Sequence, residues 1–300
     1  MAMPMSWDDL RIFLAVARAE SLSGAGRSLG LDPATVGRRI QRLEEDCGQQ
    51  LFARSPQGYE LTGAGTRLLP HSEAAELAAA EAADAMRGEG GALSGTVRIG
   101  APDGCANFLL PQVCARIQAE HPKLDIQVLA LPRVVNLSKR EADMAISVSA
   151  PAAGRLAVRK IADYQLFLAA SKRYLRHAPK ITSVADLSAH PVVGYIPDMI
   201  TDPELDYLAA IGAPRVQFAS NSVSVQFNHL VRGVGVGIVH DFAMRFGPGL
   251  RRILPESVGL TRSFWLLRPA DDRKSDRLNR FSEALVGALR REMAASQLQP

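Results

Sequence analysis

A helix with clearly marked ends lies between Gly30 and Gly48, and it constrains the first part of the chain more than any other feature. Asp32 is a favourable N-cap residue. Pro33 stands at the first helical position, where a missing backbone N–H group costs nothing. The glycines on either side favour the ends of a helix. The sequence therefore predicts one helix with a defined start and stop.

The two faces of this helix differ in character. Val36, Ile40 and Leu43 repeat with helical spacing, so they form an apolar stripe that is expected to face a core. The other face carries charged and amide side chains: Arg38, Gln41, Arg42 and Glu45. Arginine and glutamine offer paired donors that suit phosphate oxygens and the edges of bases. The pattern is typical of a helix that lies in a DNA groove.

The neighbouring segments supply the rest of a winged helix-turn-helix. Apolar residues at helical spacing predict a first helix over 7–20. Ser23 is expected to cap a second short helix over 24–29. Residues 51–61 contain two short apolar runs around a Pro- and Gly-containing turn, which predicts a hairpin. Three helices followed by a hairpin indicate a DNA-binding domain over 1–62.

A long alanine-rich helix is predicted after the hairpin. Thr62 is its expected cap, and the helical pattern runs from Gly63 to about Arg87. Four glycines within residues 88–95 then break the pattern, as in a flexible linker. We assign residues 63–94 to a linker helix and hinge, and the long, small-residue, amphipathic helix suits pairing with a second helix.

The last two thirds of the chain alternate strands with helices, which predicts an α/β domain over 95–300 with a mainly parallel sheet. The first lobe is expected to hold 95–163 and 267–300, and the second lobe 164–266. Two crossings between the lobes leave a cleft where ligands tend to bind. The predicted strands are 96–101, 124–130, 144–148, 164–170, 192–195, 216–219, 236–239 and 263–267. The predicted helices are 107–120, 135–140 and a last one that begins at Ser275 or Asp276.

Composition limits the class of protein without identifying it. The 300 residues are 47% hydrophobic, enough for two or three domains with real cores. No apolar run approaches the length of a membrane span, so we expect a cytoplasmic protein with no membrane contact. The net charge is only +4, and residues 1–66 hold seven basic and eight acidic side chains. DNA binding is therefore indicated by the local cluster of arginines and not by overall charge.

The chain resembles the LysR-type transcriptional regulators over nearly its full length. The order and spacing of seven fragments carry the resemblance: FLAVA (13–17), SLSGA (21–25), TVGRRI (35–40), RLEE (42–45), LFAR (51–54), LTGAG (61–65) and READMAI (140–146). The resemblance implies a winged helix-turn-helix, a dimerising linker helix and an effector domain like type 2 periplasmic binding proteins. It also implies binding to double-stranded promoter DNA, a homodimer or homotetramer, a small-molecule effector and contact with RNA polymerase. We expect the protein to be associated with the nucleoid.

Nine residues are candidates for contact with DNA: Ser23, Ala34, Thr35, Gly37, Arg38, Arg39, Gln41, Arg42 and Arg54. Arg54 corresponds to the wing arginine of the family, and Ser23 could contact phosphate or only cap its helix. The family often has serine where Gly37 and Asp32 stand, so contacts near them are expected to differ. The alternative for the arginines is a solvated face of an ordinary amphipathic helix.

The expected cleft has candidate residues at strand ends and in the loop that follows the first strand, whose N–H groups could hold a polar group: Asp103, Gly104, Cys105, Arg133, Ser147, Ser149, Tyr195 and Asn221. Asp103 would repel an anionic effector unless Arg133 or another cation compensates. Cys105 could be a redox sensor with a lowered thiol pKa, although a buried structural role is the commoner one.

Two other functions remain open from the sequence. A solute-binding protein would use the N-terminal helices only to dimerise, and an enzyme would work in the cleft. No metal-ligand spacing is found among the six histidines, and no nucleophile motif is present. We therefore predict no catalytic residue, no metal and no cofactor, and we favour a ligand-responsive DNA-binding regulator.

Overall fold

The structure is a computed structural model that describes residues 5–55, 58–86, 93–130, 137, 141–151, 155–212, 215–270, 272 and 275–297. The chain divides into two compact units. The first unit comprises residues 1–90 with 274–276, and the second comprises 91–273 with 277–300. No helix of the described part is long and apolar enough to cross a membrane.

The first unit contains the helices and the hairpin that the sequence predicts: α1 (Trp7–Ala19), α2 (Leu22–Leu29), α3 (Pro33–Cys47), β1 (Phe52–Ser55), β2 (Gly58–Leu61) and α4 (Gly63–Met86). The amide of Thr35 donates to Oδ1 of the N-cap Asp32 over 2.9 Å. The expected cap of α2 was wrong. Ser21, and not Ser23, accepts the Gly24 amide over 3.1 Å, because α2 begins two residues earlier than predicted.

The core of the first unit joins α3 to α1 and the hairpin. Val36, Ile40 and Leu43 are buried, which confirms the predicted inward face of α3. They lie in one apolar cluster with Phe13 and Phe52, whose rings are 5.3 Å apart. The hairpin is thus held against the helices by apolar contacts as well as by its own strand pairing.

The second unit contains one sheet and several helices: β3 (Gly95–Ala101), α5 (Asp103–Phe108), α6 (Leu110–Glu120), β4 (Leu124–Ala130), β5 (Met144–Ser147), β6 (Leu156–Ser171), α7 (Lys172–Leu175), β7 (Val192–Gly194), α8 (Tyr207–Ala210), β8 (Phe218–Ala219), α9 (Val223–Val231), β9 (Val236–His240), β10 (Leu250–Arg252), β11 (Gly259–Pro269) and α10 (Asp276–Gln297). The predicted helix over 107–120 is two helices, because Leu109 separates α5 from α6 and Pro111 follows at the start of α6. The predicted helix over 135–140 falls, except for residue 137, outside the described residues.

The described strands of the second unit run in the order β4-β3-β5-β11-β6-β9-β7-β8, with β10 also paired to β6. The expectation of a mainly parallel sheet was wrong. β3 is parallel to β4 and β5, and β7 is parallel to β8 and β9, but β6 and β11 are antiparallel to all their partners. β6 and β11 run in opposite directions because the chain leaves the first part of the sheet along β6 and returns to it along β11.

The two long strands divide the sheet into halves. β6 and β11 pair from Phe167 opposite Gly259 to Leu156 opposite Pro269, with an irregular step between Phe264 and Trp265. We call β3, β4 and β5 with α5 and α6 the first half, and β7, β8 and β9 with α8 and α9 the second half. The strands predicted over 164–170 and 263–267 are parts of β6 and β11. The proposed lobe boundaries stay a prediction.

One apolar cluster extends through both halves of the sheet. At its centre Tyr164 of β6 stacks on Phe264 of β11, with ring centroids 4.3 Å apart. The last helix, α10, buries Leu278, Phe281, Leu285 and Leu289 in the same cluster, as its helical spacing predicts.

Gly65 in the first turn of α4 offers a test of how this helix is seated. A Cβ atom added there would lie 2.2 Å from the Leu51 carbonyl oxygen, whereas one added at Gly63 meets only the flexible end of Arg67 at 3.7 Å. We expect Gly65→Ala to lower the free energy of unfolding by about 1–3 kcal/mol, because backbone must shift. Gly63→Ala is the matched control and should leave it unchanged or slightly higher. Urea unfolding followed by circular dichroism makes the comparison, and equal stability of the two variants would contradict this packing.

Candidate functional site

The outward face of α3 is the first candidate site. Ala34, Arg38, Gln41 and Arg42 are exposed, and Thr35 is half-buried. These side chains occupy the N-terminal three turns of a helix whose opposite face is fully packed. The arrangement presents a polar, partly basic surface on a rigid element.

A row of hydrogen bonds orders the start of this face. The Thr35 hydroxyl donates to the Asp32 carboxylate, and the bonds from the Thr35 side chain and backbone lower the pKa of Asp32. Arg38 in turn donates to Thr35 Oγ1 over 3.0 Å. Further along, Gln41 donates to Glu45 over 3.0 Å. The donors of Arg38 and Gln41 are therefore held near the exposed face before any ligand arrives.

Arg39 points to a different neighbour. It pairs with Asp8, and its Nε lies 3.4 Å from Asp9 Oδ1, so it links α3 to the first turn of α1. Arg42 lies within 3.9 Å of Asp46 on its own helix, and two thirds of its side chain is exposed. Among the predicted arginines of α3, Arg38 and Arg42 are thus more exposed than Arg39, which pairs with another helix.

The other predicted DNA-contact residues have separate settings. Ser23 is exposed in the first turn of α2, and Arg54 lies in β1. A Cβ at Gly37 would stand 3.2 Å from Leu22 Cδ1, so the glycine lets α2 pack closely on α3. This packing is a local reason for glycine at a position where the family often has serine.

Asp103 marks the second candidate site, in the second unit. It begins α5 directly after β3, and its Oδ2 accepts three bonds from the start of α9. The donors are Ser222 Oγ at 3.0 Å, the Ser224 amide at 2.9 Å and Ser224 Oγ at 3.2 Å. Asn107 donates to the other carboxylate oxygen over 3.1 Å. Asp103 therefore connects the first half of the sheet to the second.

The carboxylate of Asp202 also connects the two halves, and here the first half supplies the donor. Ser149, just after β5, donates to Asp202 Oδ2 over 2.5 Å. Ser147 is buried at the end of β5 and accepts the Ser149 amide over 3.3 Å. The two predicted serines are thus neighbours, and one of them bonds across the sheet halves.

A cavity of about 730 Å³ lies on the second half of the sheet, beside these contacts. Its walls include apolar side chains from β7, β9 and the segment before α8. Five polar residues also line it: Tyr195, Asp206, Tyr207, Gln226 and Arg262. Arg262 is paired with Glu204, with Nε 2.6 Å from Oε2. Of the predicted effector residues, Tyr195 lines this cavity.

Three buried polar side chains adjoin beside the cavity. The hydroxyls of Tyr164 and Tyr207 interact with each other, and His240 Nδ1 has no hydrogen-bond partner in the described structure. Their rings adjoin, with the His240 centroid 5.4 Å from that of Tyr164 and 5.8 Å from that of Tyr207. Burial lowers the pKa of His240 to about 3, so the imidazole is neutral near pH 7. Buried polar groups normally have partners, which makes the unpaired His240 nitrogen the exception in this cluster.

The remaining predicted residues have the following positions. Gly104 is buried, and a Cβ there would stand 3.3 Å from Val223 Cγ1. Cys105 is 1% exposed, and burial raises the pKa of its thiol, which disfavours the reactive thiolate of a redox sensor. Asn221 lies between β8 and α9, and Arg133 lies outside the described residues.

Sequence reasoning missed several residues that meet here: Asp202, Tyr207, Ser224, His240 and Arg262. A helix-cap signal was present at the start of α9, where Ser222 accepts the Val225 amide. The partners of these residues lie far apart in the chain, and local patterns do not reveal such contacts.

Comparisons with known proteins identify both units. Residues 90–290 match the family model of the LysR substrate binding domain. Residues 7–66 match that of the bacterial regulatory helix-turn-helix protein, lysR family. The regulator PtxR of Pseudomonas aeruginosa is 26% identical over 96% of this chain and 94% of its own length. DgdR of Burkholderia cepacia is 33% identical, but that match spans 46% of this chain and about half, 48%, of DgdR.

Solved structures agree with the fold. A full-length OxyR variant from Pseudomonas aeruginosa superposes with a TM-score of 0.67 at 16% identity and covers 95% of this chain and 98% of that one. Full-length LysG from Corynebacterium glutamicum with bound effector Arg gives 0.62 at 18% identity, over 95% of this chain and 98% of that one. At these identities the likeness shows the fold alone. The two family models, one of which spans well over half of the sequence, show that this chain belongs to the LysR family of DNA-binding transcriptional regulators, which carry an effector-binding domain.

Proposed function

We propose that this regulator reads promoter DNA with the exposed face of α3, and that Arg38 and Gln41 make the main contacts with base edges. The observation that carries the proposal is the row of bonds from Asp32 through Thr35 to Arg38, which orders a forked donor on an exposed helix face. Arginine in that geometry suits guanine, and glutamine suits adenine. Ala34 and Thr35 would lie against the same groove.

The other predicted contacts are assigned to the phosphate backbone. Arg42, Ser23 and Arg54 would position the domain on DNA without reading sequence. Arg39 would act mainly through its pairs with Asp8 and Asp9, which fix α3 on α1. Gly37 would act by letting α2 pack closely rather than by a contact of its own.

We further propose that α4 pairs with its counterpart in a second copy to give a homodimer or a homotetramer. Its many small side chains suit close helix pairing, and two recognition helices would then bind two half-sites. We also propose that the regulator contacts RNA polymerase and is associated with the cytoplasmic nucleoid.

The effector pocket is proposed to be the cavity lined by Tyr195, Tyr207 and Arg262. Its size suits a small metabolite, and its wall combines apolar side chains with the polar groups of Tyr195, Tyr207 and Arg262. An effector that binds one arrangement of the sheet halves better than another would shift the population of the two. The shift would change the spacing of the recognition helices in the dimer, and so the affinity for promoter DNA.

The DNA proposal predicts a loss of sequence-specific affinity. Arg38→Ala and Gln41→Ala should each weaken binding to the native promoter site by about 5- to 150-fold, since a good bidentate contact is worth about 1–3 kcal/mol. Arg173→Ala, an exposed arginine of α7, is the control and should bind like the parent chain. Fluorescence anisotropy with promoter and shuffled duplexes makes the measurement. Unchanged discrimination between the duplexes in both α3 variants would refute the assignment.

The pocket proposal predicts where a ligand will act. A metabolite that raises the melting temperature of the full chain should lose its effect in Ala209→Phe, because the larger side chain fills the cavity wall. Ala119→Phe, on the exposed side of α6, should keep the full response. A thermal-shift screen followed by both variants decides the point, and an equal response of the two would place the ligand elsewhere.

A further inference from the structure

We propose that Asp103 is an internal ligand that fills the anion position between the sheet halves, so that the effector presents a positively charged nitrogen and not a carboxylate. The inference rests on the proposed effector pocket and names the class of ligand that it takes. Asp103 would then set specificity by excluding anions from one position.

The contacts of Asp103 are those that a bound anion would make. One oxygen accepts the Ser224 amide and the hydroxyls of Ser222 and Ser224, all within 3.2 Å. The positive end of the α9 dipole favours a negative charge at this place. Since the donors at the start of α9 are already used by the chain, a ligand carboxylate would have to displace Asp103 to reach them.

The surrounding packing holds the carboxylate in place. α5, which carries Asp103, meets α9 through Phe108 and Phe227, whose ring centroids are 4.9 Å apart. Both side chains are more than nine-tenths buried. The Ser149 to Asp202 bond is a second link between the halves. The three bonds of Asp103, the phenylalanine contact and the serine–aspartate bond thus bring the halves together without any ligand.

The charges around the cavity point to the same ligand class. Asp206 lines it, and Asp202 directly precedes Pro203 of its wall. The cation of the described wall, Arg262, is already paired with Glu204. The described surroundings therefore carry a net negative charge, and in a partly enclosed site that favours a cation over an anion.

The buried hydroxyl of Tyr207 can accept a further hydrogen bond. The side chain is 4% exposed and lines the cavity, and its hydroxyl interacts with that of Tyr164, which leaves the Tyr207 oxygen able to accept from a ligand. A tyrosine hydroxyl accepts hydrogen bonds as well as donating them. The N–H groups of an ammonium would satisfy this oxygen while the nearby carboxylates balance its charge.

The first test removes the internal ligand. Asp103→Ala should lower the melting temperature of the full chain, and sodium acetate should restore about 2 °C or more of it relative to sodium chloride of equal ionic strength. Acetate should not act in this way on the parent chain or on Asp125→Ala, an exposed carboxylate of β4. A loss of stability without acetate rescue would mean that Asp103 is only a structural cap, and it would overturn the proposal. An unchanged melting temperature would overturn it as well.

The second test compares ligand classes on one skeleton. Phenethylamine and hydrocinnamate share a phenylethyl group and differ in the sign of the charged end. The amine should raise the melting temperature of the parent chain more than the acid, and Asp103→Ala should reverse the order. A parent chain that prefers hydrocinnamate, or that responds to neither probe, would refute the ligand class.

The Ala209→Phe variant distinguishes a wrong ligand class from a wrong pocket. If hydrocinnamate stabilises the parent chain and not Ala209→Phe, the pocket stands and only the amine assignment is wrong. If every stabilising ligand acts equally on Ala209→Phe, the proposed pocket itself is wrong. The acetate test depends on neither outcome, because it probes the position of Asp103 directly.

Discussion

The antiparallel pairing of β6 with β11 is the constraint on which the second unit depends. These two strands form the middle of the sheet, and one half of the sheet pairs with each of them. β5 of the first half pairs with β11, and β9 of the second half pairs with β6. Tyr164 and Phe264 stack across the pair and are almost fully buried. One half is hydrogen-bonded to β11 and the other to β6. Because β6 and β11 are paired with each other, the two halves stay in one sheet.

This arrangement explains why the site lies where it does. The loop after β3 and the start of α9 come from opposite halves of the sheet, and Asp103 joins them. A carboxylate supplied by the chain accepts there the hydrogen bonds that a bound anion would accept. The cavity wall keeps the Tyr207 hydroxyl, the Asp206 carboxylate and an arginine whose charge is already balanced by Glu204.

Local chemistry made much of this structure predictable. The caps of α3 and its apolar stripe follow from Asp32, Pro33 and helical spacing, and the family fragments gave the order of domains. Contacts between distant segments could not be predicted in this way. Asp103 and Ser224 are 121 residues apart, so only the completed sheet brings them together. The antiparallel direction of β6 and β11 was missed for the same reason, since alternating strands and helices usually indicate parallel pairing.

Asp103 fastens the start of α9 to the loop after β3 when no effector is present. Amide hydrogen exchange of the full, ligand-free chain measures this link in the segment that contains the Ser224 amide. The account predicts that Asp103→Ala speeds exchange at the start of α9 by about tenfold or more, since a bond to a charged acceptor is worth about 1.5–3 kcal/mol. Exchange in β9 should stay the same. Equal protection of the α9 start in both proteins would contradict the account.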